Sequence, residues 1–581
     1  MTPVREPDSP PQPCLRPDDA GAAATVRRMA DCARALATGG GPAEAVTALF
    51  TGALRFDADD PHWPDRDRIV VAAPLGEALV RAVLELTGHA GSVEDHPAFE
   101  TVSGPPGQAL GVAVGMALAE RMLAARFGRS LVDHRTWVLL APADLAGGPG
   151  HEAADLAGHL QLDRLAAIWE DDGTAGLFCA TDPLKRFAAA GWATRRVDGH
   201  DPAEVLAALV LAARSRKPTL IACGTNGMDG QEAASASDDL LPAWRAAGTR
   251  GAAARRGWKK RLSRHAMRAD FERVTAGRLP DGWTTALAAL RPALDPGSTG
   301  DAGRQVAGTL AQAVPELVGA TPAGLAGLAA VTPGQFQGQA VPHGARPHGL
   351  SACTAGLALH GGVVPFAVAD LQHGDALRPA LRLLAASRQR AVHLLDDDGT
   401  EPEQLAALRT VPGLHLHHPA DPAEVGECWE LAMRRTDGPS VLVLSACPGP
   451  VLRADTAENR CARGGYVLAE ANGPRQATLI ASGPAVHVAM AARAELAASG
   501  VAVAVVSLPC WELFAGQPPG ETALVLGDAP RAALASGDGF GWDRWLGRDG
   551  LLISLPPDAL TAGAVAWVLR KRLPLEEEKV P

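Results

Sequence analysis

The sequence predicts an α/β protein of three consecutive α/β domains, and three observations support this. Short apolar strands alternate with amphipathic or Ala-rich helices along most of the chain, which is typical of parallel βαβ units. The chain has 581 residues, more than a single hydrophobic core supports. The alternation is interrupted by a polar, basic stretch at 225–300 and starts again near residues 302 and 463.

The elements follow in order. The first segment contains predicted helices at 24–37 and 108–127, and strands at 69–73, 136–141, 165–171 and 219–224. The first half of 108–127 is apolar on all faces and rich in Gly and Ala, so we expect a buried helix that neighbours approach closely, in its own domain or at a subunit interface. Later segments contain apolar runs at 356–370, 391–399, 440–446, 477–483, 501–509 and 522–528, and a last helix at 559–573.

The domain boundaries follow from these patterns and from composition. The Pro-rich, charged start of the chain has no apolar core of a signal peptide and predicts a disordered tail. The predicted division is a tail at 1–21, a first α/β domain at 22–225, a connector at 226–301, a second α/β domain at 302–455 and a smaller C-terminal α/β domain at 456–575.

Composition excludes several classes of protein. The formal net charge of -11 argues against a nucleic-acid partner, which requires a basic surface. The sequence contains no run of about 18 uncharged apolar residues, so we expect no membrane span. The nine cysteines form no CxxC pair, which fits free thiols in a reducing cytoplasm better than disulfides or a zinc site.

Six stretches together resemble one enzyme family. They are SGPPGQALGVAVGMALAERMLAARFGR (103–129), HEAADLAGHLQLDRLAAIWEDDG (151–173), RFAAAGWATRRVDGHDPAEV (186–205), WKKRL (258–262), ALHGGVVPF (358–366) and ARGGYVLAEANG (462–473). In this order they resemble the transketolases over about residues 22–570. The resemblance implies that 22–225 is a diphosphate-binding-like domain and 302–455 a pyrimidine-binding-like domain. It also implies a homodimer with thiamine diphosphate and Mg²⁺ between one chain's first domain and the other chain's second.

Several cofactor positions of that family are altered in this sequence. The resemblance places Pro142 where the family has a metal-binding Asp, and the second metal position falls on Asp172. Asp144 lies two residues after Pro142, and Asp144 and Asp172 are weak candidates for metal ligands. The loop of Gly104, Pro105, Gly107 and Gln108 is retained, so we expect these residues and Asp172 to be a vestigial cofactor site, although Gly and Pro there could simply shape a turn.

The substrate and pyrimidine side is altered as well. Pro347 stands where the family has the Glu that acts on the cofactor's aminopyrimidine, so no catalytic residue is predicted with confidence. His343, Arg346 and His348 in the same loop are a possible new ligand site. On a strand His415 and His417 would share one face and could form a metal pair, with His418 next to them; exposed histidines without a ligand are the plainer interpretation.

These losses favour a transketolase-like protein that is not catalytic and has no cofactor. Such a chain would act as a regulator or scaffold, as a homodimer or as a heterodimer with an active transketolase-like chain. Two alternatives stay open. The first is an active thiamine diphosphate transketolase, containing Mg²⁺, that moves a two-carbon ketol unit between sugar phosphates. The second is a cleft repurposed for a new ligand or reaction.

Overall fold

A computed structural model describes residues 20–37, 42–73, 77–89, 99–174, 180–225, 238–294, 296–453, 455, 457–537 and 539–572. Nearly all of the predicted N-terminal tail lies outside these residues. The chain forms two compact units. The first contains residues 1–278 and 329–363, and the second contains residues 279–328 and 364–581.

The strands alternate with helices as predicted. They are β1 (Arg68–Ala72), β2 (Glu100–Val102), β3 (Thr136–Leu140), β4 (Leu165–Asp171), β5 (Ala193–Asp198), β6 (Thr219–Gly224), β7 (Gly297–Ser298), β8 (Leu317–Thr321), β9 (Ala340–Pro342), β10 (Val364–Asp370), β11 (Val392–Asp397), β12 (His415–His417), β13 (Ser440–Ser445), β14 (Pro448–Gly449), β15 (Tyr466–Ala469), β16 (Ala477–Ala481), β17 (Val503–Ser507), β18 (Arg531–Ser536) and β19 (Leu551–Leu555).

The described residues also form α-helices between and around these strands. They are α1 (Ala20–Ala37), α2 (Ala43–Ala48), α3 (Glu77–Thr87), α4 (Gln108–Phe127), α5 (Gly148–His159), α6 (Pro183–Ala189), α7 (Pro202–Arg214), α8 (Leu241–Thr249), α9 (Ala252–Leu262), α10 (Arg268–Thr275), α11 (Trp283–Leu290), α12 (Thr299–Ala313), α13 (Pro347–His360), α14 (Gly374–Ala386), α15 (Glu403–Arg409), α16 (Pro422–Arg434), α17 (Ala485–Ala497), α18 (Trp511–Ala515), α19 (Pro519–Leu526), α20 (Asp543–Leu546) and α21 (Ala562–Arg572).

The sheet of the first unit is entirely parallel. Its strands run in the order β2-β1-β3-β4-β6-β5. The central strands are apolar and buried along their length, as expected where helices cover both faces of a parallel sheet. Because all strands point the same way, the residues that follow β3 and β4 meet at one edge of the sheet, where ligands of open α/β sheets bind.

The helices α4 and α13 pack against each other in the first unit at very short distance. A Cβ added to Gly115 would lie 2.1 Å from the carbonyl oxygen of Cys353. A Cβ added to Gly356 would lie 2.0 Å from the carbonyl oxygen of Val112. Glycine is therefore required at both positions, and the predicted burial of 108–127 is confirmed with the partner helix in the same chain.

The second unit contains two larger sheets. In the first, the parallel order is β12-β13-β11-β10-β8. In the second, the order is β15-β17-β16-β18-β19, with only the β15–β17 pair antiparallel. The short strands β7 and β14 form a separate antiparallel pair.

Two sequence predictions are qualified by the structure. The strand expected at 522–528 is wrong, because Pro519–Leu526 is a helix and the next strand is Arg531–Ser536. Pro518 and Pro519 begin that helix, and the apolar run alone does not distinguish a short strand from a helix. Gln108–Phe127 is long and apolar enough to cross a membrane, but 89% of its most apolar 18-residue stretch is buried within the protein.

Candidate functional site

A glycine-containing loop leads into α4 at the ligand edge of the first sheet. Gly104 and Gly107 have positive φ angles of 143° and 90°, a region that favours glycine. The Gln108 amide turns back over Gly104 and donates to the carbonyl oxygen of Ser103 at 3.2 Å. The Gln108 backbone N–H donates to the carbonyl oxygen of Pro105 at 3.1 Å. Gly104, Pro105, Gly107 and Gln108 thus form one ordered turn.

Asp144 joins this turn to the loop that follows β3. Its Oδ1 accepts the N–H of Gly107 and its Oδ2 accepts the N–H of Ala141, each at 2.7 Å. The side chain is buried, and burial raises the pKa of Asp144 against the opposing effect of the two hydrogen bonds. Both carboxylate oxygens therefore hold backbone in place, a role that the sequence prediction of Asp144 as a metal ligand does not include.

The end of β4 carries three consecutive acidic residues with different environments. Asp171 is buried and forms an ion pair with Arg196. Asp172 is exposed, and its Oδ1 accepts the backbone N–H of Thr174 at 2.9 Å and the hydroxyl at 2.6 Å. Burial, followed by the charge of Asp172, raises the pKa of Glu170. Asp172 is the carboxylate of this group that faces solvent.

The loop before α13 brings His343 and Arg346 together. Arg346 Nη1 donates to the carbonyl oxygen of His343 at 2.9 Å. His343 is fully buried, and burial lowers its pKa to about 3. Among the described residues neither of its ring nitrogens has a hydrogen-bond partner. His348 is half-buried on the first turn of α13. Pro347 is the first residue of that helix.

A carboxylate from α5 also reaches the start of α13. Glu152 Oε2 accepts the N–H of Gly349 at 2.7 Å, two residues after Pro347. A negative charge at a helix N-terminus is stabilised by the unpaired N–H groups there. This contact fixes the loop of His343 and Arg346 to the helix that follows β3.

The second unit contains a cavity of about 140 Å³. It lies after the ends of β11 and β13 and is lined by Asp397, Arg409, His418 and Ser445, among others. The Arg409 guanidinium stacks on Trp511 at 3.7 Å, and its Nε and Nη2 atoms are buried without a hydrogen-bond partner within the described ranges. Burial lowers the pKa of Arg409 to about 10, so it remains a cation at neutral pH.

Comparison with known proteins identifies the family. Residues 91–226 match the transketolase thiamine diphosphate binding domain, residues 296–446 the transketolase pyrimidine binding domain, and residues 464–556 the transketolase-like C-terminal domain. The transketolase of Sinorhizobium medicae is 36% identical over 625 residues, covering 92% of this chain and 90% of that protein. The chain belongs to the transketolase family.

Further relatives agree. The transketolase of Cereibacter sphaeroides is 37% identical and covers 91% of this chain and 94% of its own length. A solved transketolase from Leishmania mexicana superimposes with a TM-score of 0.84 at 25% identity, covering 96% of this chain and 98% of that one. The fold of the Campylobacter jejuni transketolase also matches, with a TM-score of 0.82 at 22% identity. The predicted fold class of three transketolase-type domains is confirmed.

The family membership corrects two expectations from the sequence. The prediction of a non-catalytic regulator or scaffold is wrong, because relatives named transketolase match over about nine-tenths of the chain. The prediction that the protein has no cofactor is also wrong, because the matched domains are the family's thiamine diphosphate and pyrimidine binding domains. Both predictions rested on Pro142 and Pro347, which lack the carboxyl groups that the resemblance implies at those positions. The expectation of a transketolase-type transferase is supported.

The described residues nevertheless differ from the donor set that the resemblance implies. Pro142 begins a short 3-10 turn and Pro347 begins α13, and neither side chain has an oxygen or an acidic proton. Both carboxylate oxygens of Asp144 already accept backbone N–H groups. The family's cofactor set does not fit these positions, and no catalytic step through the cofactor follows from them.

Some functional candidates were missed from sequence. The contact of Glu152 with Gly349 and the stacking of the Arg409 guanidinium on Trp511 both depend on residues distant in the chain. His417 and His418 are buried rather than exposed, which corrects the plainer interpretation of that segment. A basic residue such as Arg409 in the last turn of a helix gives no local signal that its side chain will be buried beside a cavity.

Proposed function

We propose that this chain is an active transketolase that transfers a two-carbon ketol unit between sugar phosphates with thiamine diphosphate and Mg²⁺. The observation that carries the proposal is the similarity to transketolases at 36–37% identity over 91–92% of the chain. When bound, thiamine diphosphate supplies the carbanion chemistry of such a transfer. The chain's own residues would bind and orient the reactants.

The proposed cofactor-binding residues are Gly104, Pro105, Gly107, Gln108 and Asp172. The first four form the turn before α4, and Asp172 presents an exposed carboxylate after the neighbouring strand. Asp144 is proposed to shape the turn, because both of its oxygens accept backbone N–H groups. His343, Arg346 and His348 are proposed as a second ligand loop, in which the buried imidazole of His343 has unused ring nitrogens.

Arg409 is proposed to bind the phosphate of the sugar substrate. Its guanidinium lines a cavity, remains charged, and has two buried nitrogens, Nε and Nη2, that find no partner among the residues described. Charge-assisted hydrogen bonds to phosphate are strong, and Arg is well suited to form them. His418 lines the same cavity, and burial lowers its pKa to about 3, so it would contact the sugar as a neutral imidazole.

A cytoplasmic homodimer is proposed as the working form of the protein. Family membership supports the homodimer. The cysteines of the described residues are all free, and six of the seven are buried, which fits a reducing compartment.

The test is a transfer reaction followed by NMR. The full chain is mixed with a ketose phosphate donor and an aldose phosphate acceptor, with and without thiamine diphosphate and Mg²⁺. The proposal expects new ketose and aldose phosphates only when both are added. The Sinorhizobium medicae transketolase serves as the positive control. A folded chain that forms no product while the control is active would contradict the proposal.

A further inference from the structure

Two histidines and one cysteine meet in the second unit, next to His418 but outside the set of residues that line its cavity. His415 and His417 lie on the edge strand β12 and share one face of it. Cys510 directly precedes α18 and forms an antiparallel bridge with His417. One ligand atom from each of the three side chains lies within 4.8 Å of the other two.

The backbone holds this arrangement firmly. The N–H of His418 donates to the carbonyl oxygen of Pro509 at 2.7 Å, and the N–H of Leu416 donates to Glu512 Oε2 at 3.1 Å. The Cys510 thiol donates to the same Glu512 oxygen at 3.4 Å. Hydrogen bonds from the backbone N–H groups of both neighbours of His417 therefore join β12 to the segment that contains Cys510.

The imidazole of His417 is the part of this cluster that is buried without hydrogen bonds among the described residues. His417 is fully buried, and neither of its ring nitrogens has a hydrogen-bond partner in the part of the chain that the structure describes. Leaving a buried polar group unpaired is costly, because it loses its hydrogen bonds to water without replacement. Cys510 is also fully buried. A bound ligand that accepts imidazole and thiolate electrons would remove this cost.

We propose that His415, His417 and Cys510 bind one Zn²⁺ ion. Two imidazoles and a thiolate suit zinc, whereas Mg²⁺ and Ca²⁺ prefer oxygen ligands. Tetrahedral zinc brings its ligand atoms to about 3.3–3.8 Å from one another, from bonds of about 2.0–2.3 Å, so the side chains need to close by only about 1 Å. Binding releases the Cys510 thiol proton to solvent, and a water molecule completes the coordination.

Neighbouring charges are compatible with a cation at this position. Beyond the effect of burial, Arg435 is close enough to His415 to lower its pKa, and Cys510 is close enough to Arg409 to act on the pKa of that guanidinium. The Cys510 thiolate and the Glu512 carboxylate offset these positive charges. Glu512 is expected to orient the cysteine from outside the coordination sphere. The site joins β12, in the matched pyrimidine binding domain, to the matched C-terminal domain.

The test uses the full chain, stripped of metal with a chelator and titrated with Co²⁺, a spectroscopic substitute for Zn²⁺. The proposal expects one Co²⁺ per chain, a thiolate-to-cobalt charge-transfer band and the visible bands of tetrahedral cobalt. Zn²⁺ should displace the cobalt and remove these bands. Cys510→Ser should lose the charge-transfer band and weaken binding more than about 100-fold, since even loss of an outer partner costs about 10–100-fold.

Cys447 provides a matched control because it is the exposed free cysteine of the described residues. Cys447→Ser should keep the band and the affinity, and His415→Ala should lose both. Glu512→Gln should keep the band but weaken binding by about 10–100-fold. Absence of the band in the unaltered chain, or its survival in Cys510→Ser, would overturn the proposal. The measurement on the unaltered chain decides the question even if a variant fails to fold.

Discussion

Replacing Gly115 by Ala tests how closely α4 and α13 must pack. The new Cβ would lie 2.1 Å from the Cys353 carbonyl oxygen and 2.8 Å from the Leu357 nitrogen, both backbone atoms. Ordinary contact begins near 3.4 Å, so the helices must separate by about 1.3 Å. Such overpacking typically costs about 1–3 kcal/mol, and the upper end applies because backbone must move. Ala returns about 1 kcal/mol in helix propensity, which leaves a net loss of about 2 kcal/mol.

Gly257 on α9 is the matched control. A Cβ there would meet only the end of the Arg261 side chain, at 3.5 Å. Gly257→Ala should therefore stabilise the chain by about 0.5–1 kcal/mol, because Ala favours the helix. Both variants are measured by hydrogen exchange of peptides from α4 and α13, together with the thermal midpoint.

The expected result for Gly115→Ala is exchange about 30-fold faster in these peptides, since about 1.4 kcal/mol is a factor of ten. The thermal midpoint should fall as well. Gly257→Ala should leave exchange in α4 and α13 unchanged or slower. If both variants behave alike, the close approach of the two helices does not determine their stability and the packing argument is refuted.

Three further changes test other parts of the account. Burial raises the pKa of Glu120 from 4.5 to about 8, so the stability that its neutral form contributes is complete below pH 4.5 and is lost as pH rises through about 8. Between pH 5 and 9 the thermal midpoint of the unaltered chain should fall relative to that of Glu120→Gln, and parallel curves would contradict this. Asp144→Asn should lower stability by about 1–3 kcal/mol and speed exchange in the 103–108 loop, because one backbone N–H loses its acceptor; unchanged exchange would show that Asp144 does not hold the loop. Arg409→Lys should raise KM for phosphorylated sugars about tenfold or more with little change in kcat, since hydrogen bonds to charged groups contribute about 1.5–3 kcal/mol. The same substitution at exposed Arg548 should leave KM unchanged, and a KM unaltered by Arg409→Lys would remove that residue from the phosphate site.

Much of the fold could be predicted because its signals are local. The helix expected at 108–127 and the strands expected at 165–171 and 219–224 have the predicted bounds. Long apolar runs between turn residues specify such elements by themselves. The strand expected at 522–528 is wrong because a short apolar run fits a helix equally well, and its two preceding prolines favour a helix start.

The site could be predicted less well because its contacts are long-range. Spacing alone makes Asp144 a candidate metal ligand, whereas in the structure its carboxylate holds the turn by accepting the N–H of Gly107. The pair of His415 and His417 was recognised from strand periodicity, but Cys510 lies far along the chain and follows a different strand. Spacing along one segment contains no information about such a partner. Pro142 and Pro347 do differ from the residues that the family has there. The loss of catalysis and of the cofactor that we infer from this difference is wrong.

Binding of thiamine diphosphate is the measurement that tests the central proposal most directly, since every form of the proposed transfer requires the cofactor. The full chain is titrated by calorimetry with thiamine diphosphate in the presence of Mg²⁺, with the Sinorhizobium medicae transketolase as reference. We expect saturable binding of one cofactor per chain, with a Kd below about 1 mM, which corresponds to a binding free energy of about -4 kcal/mol. No heat of binding at millimolar cofactor, from a folded chain and with a responding reference, would contradict it.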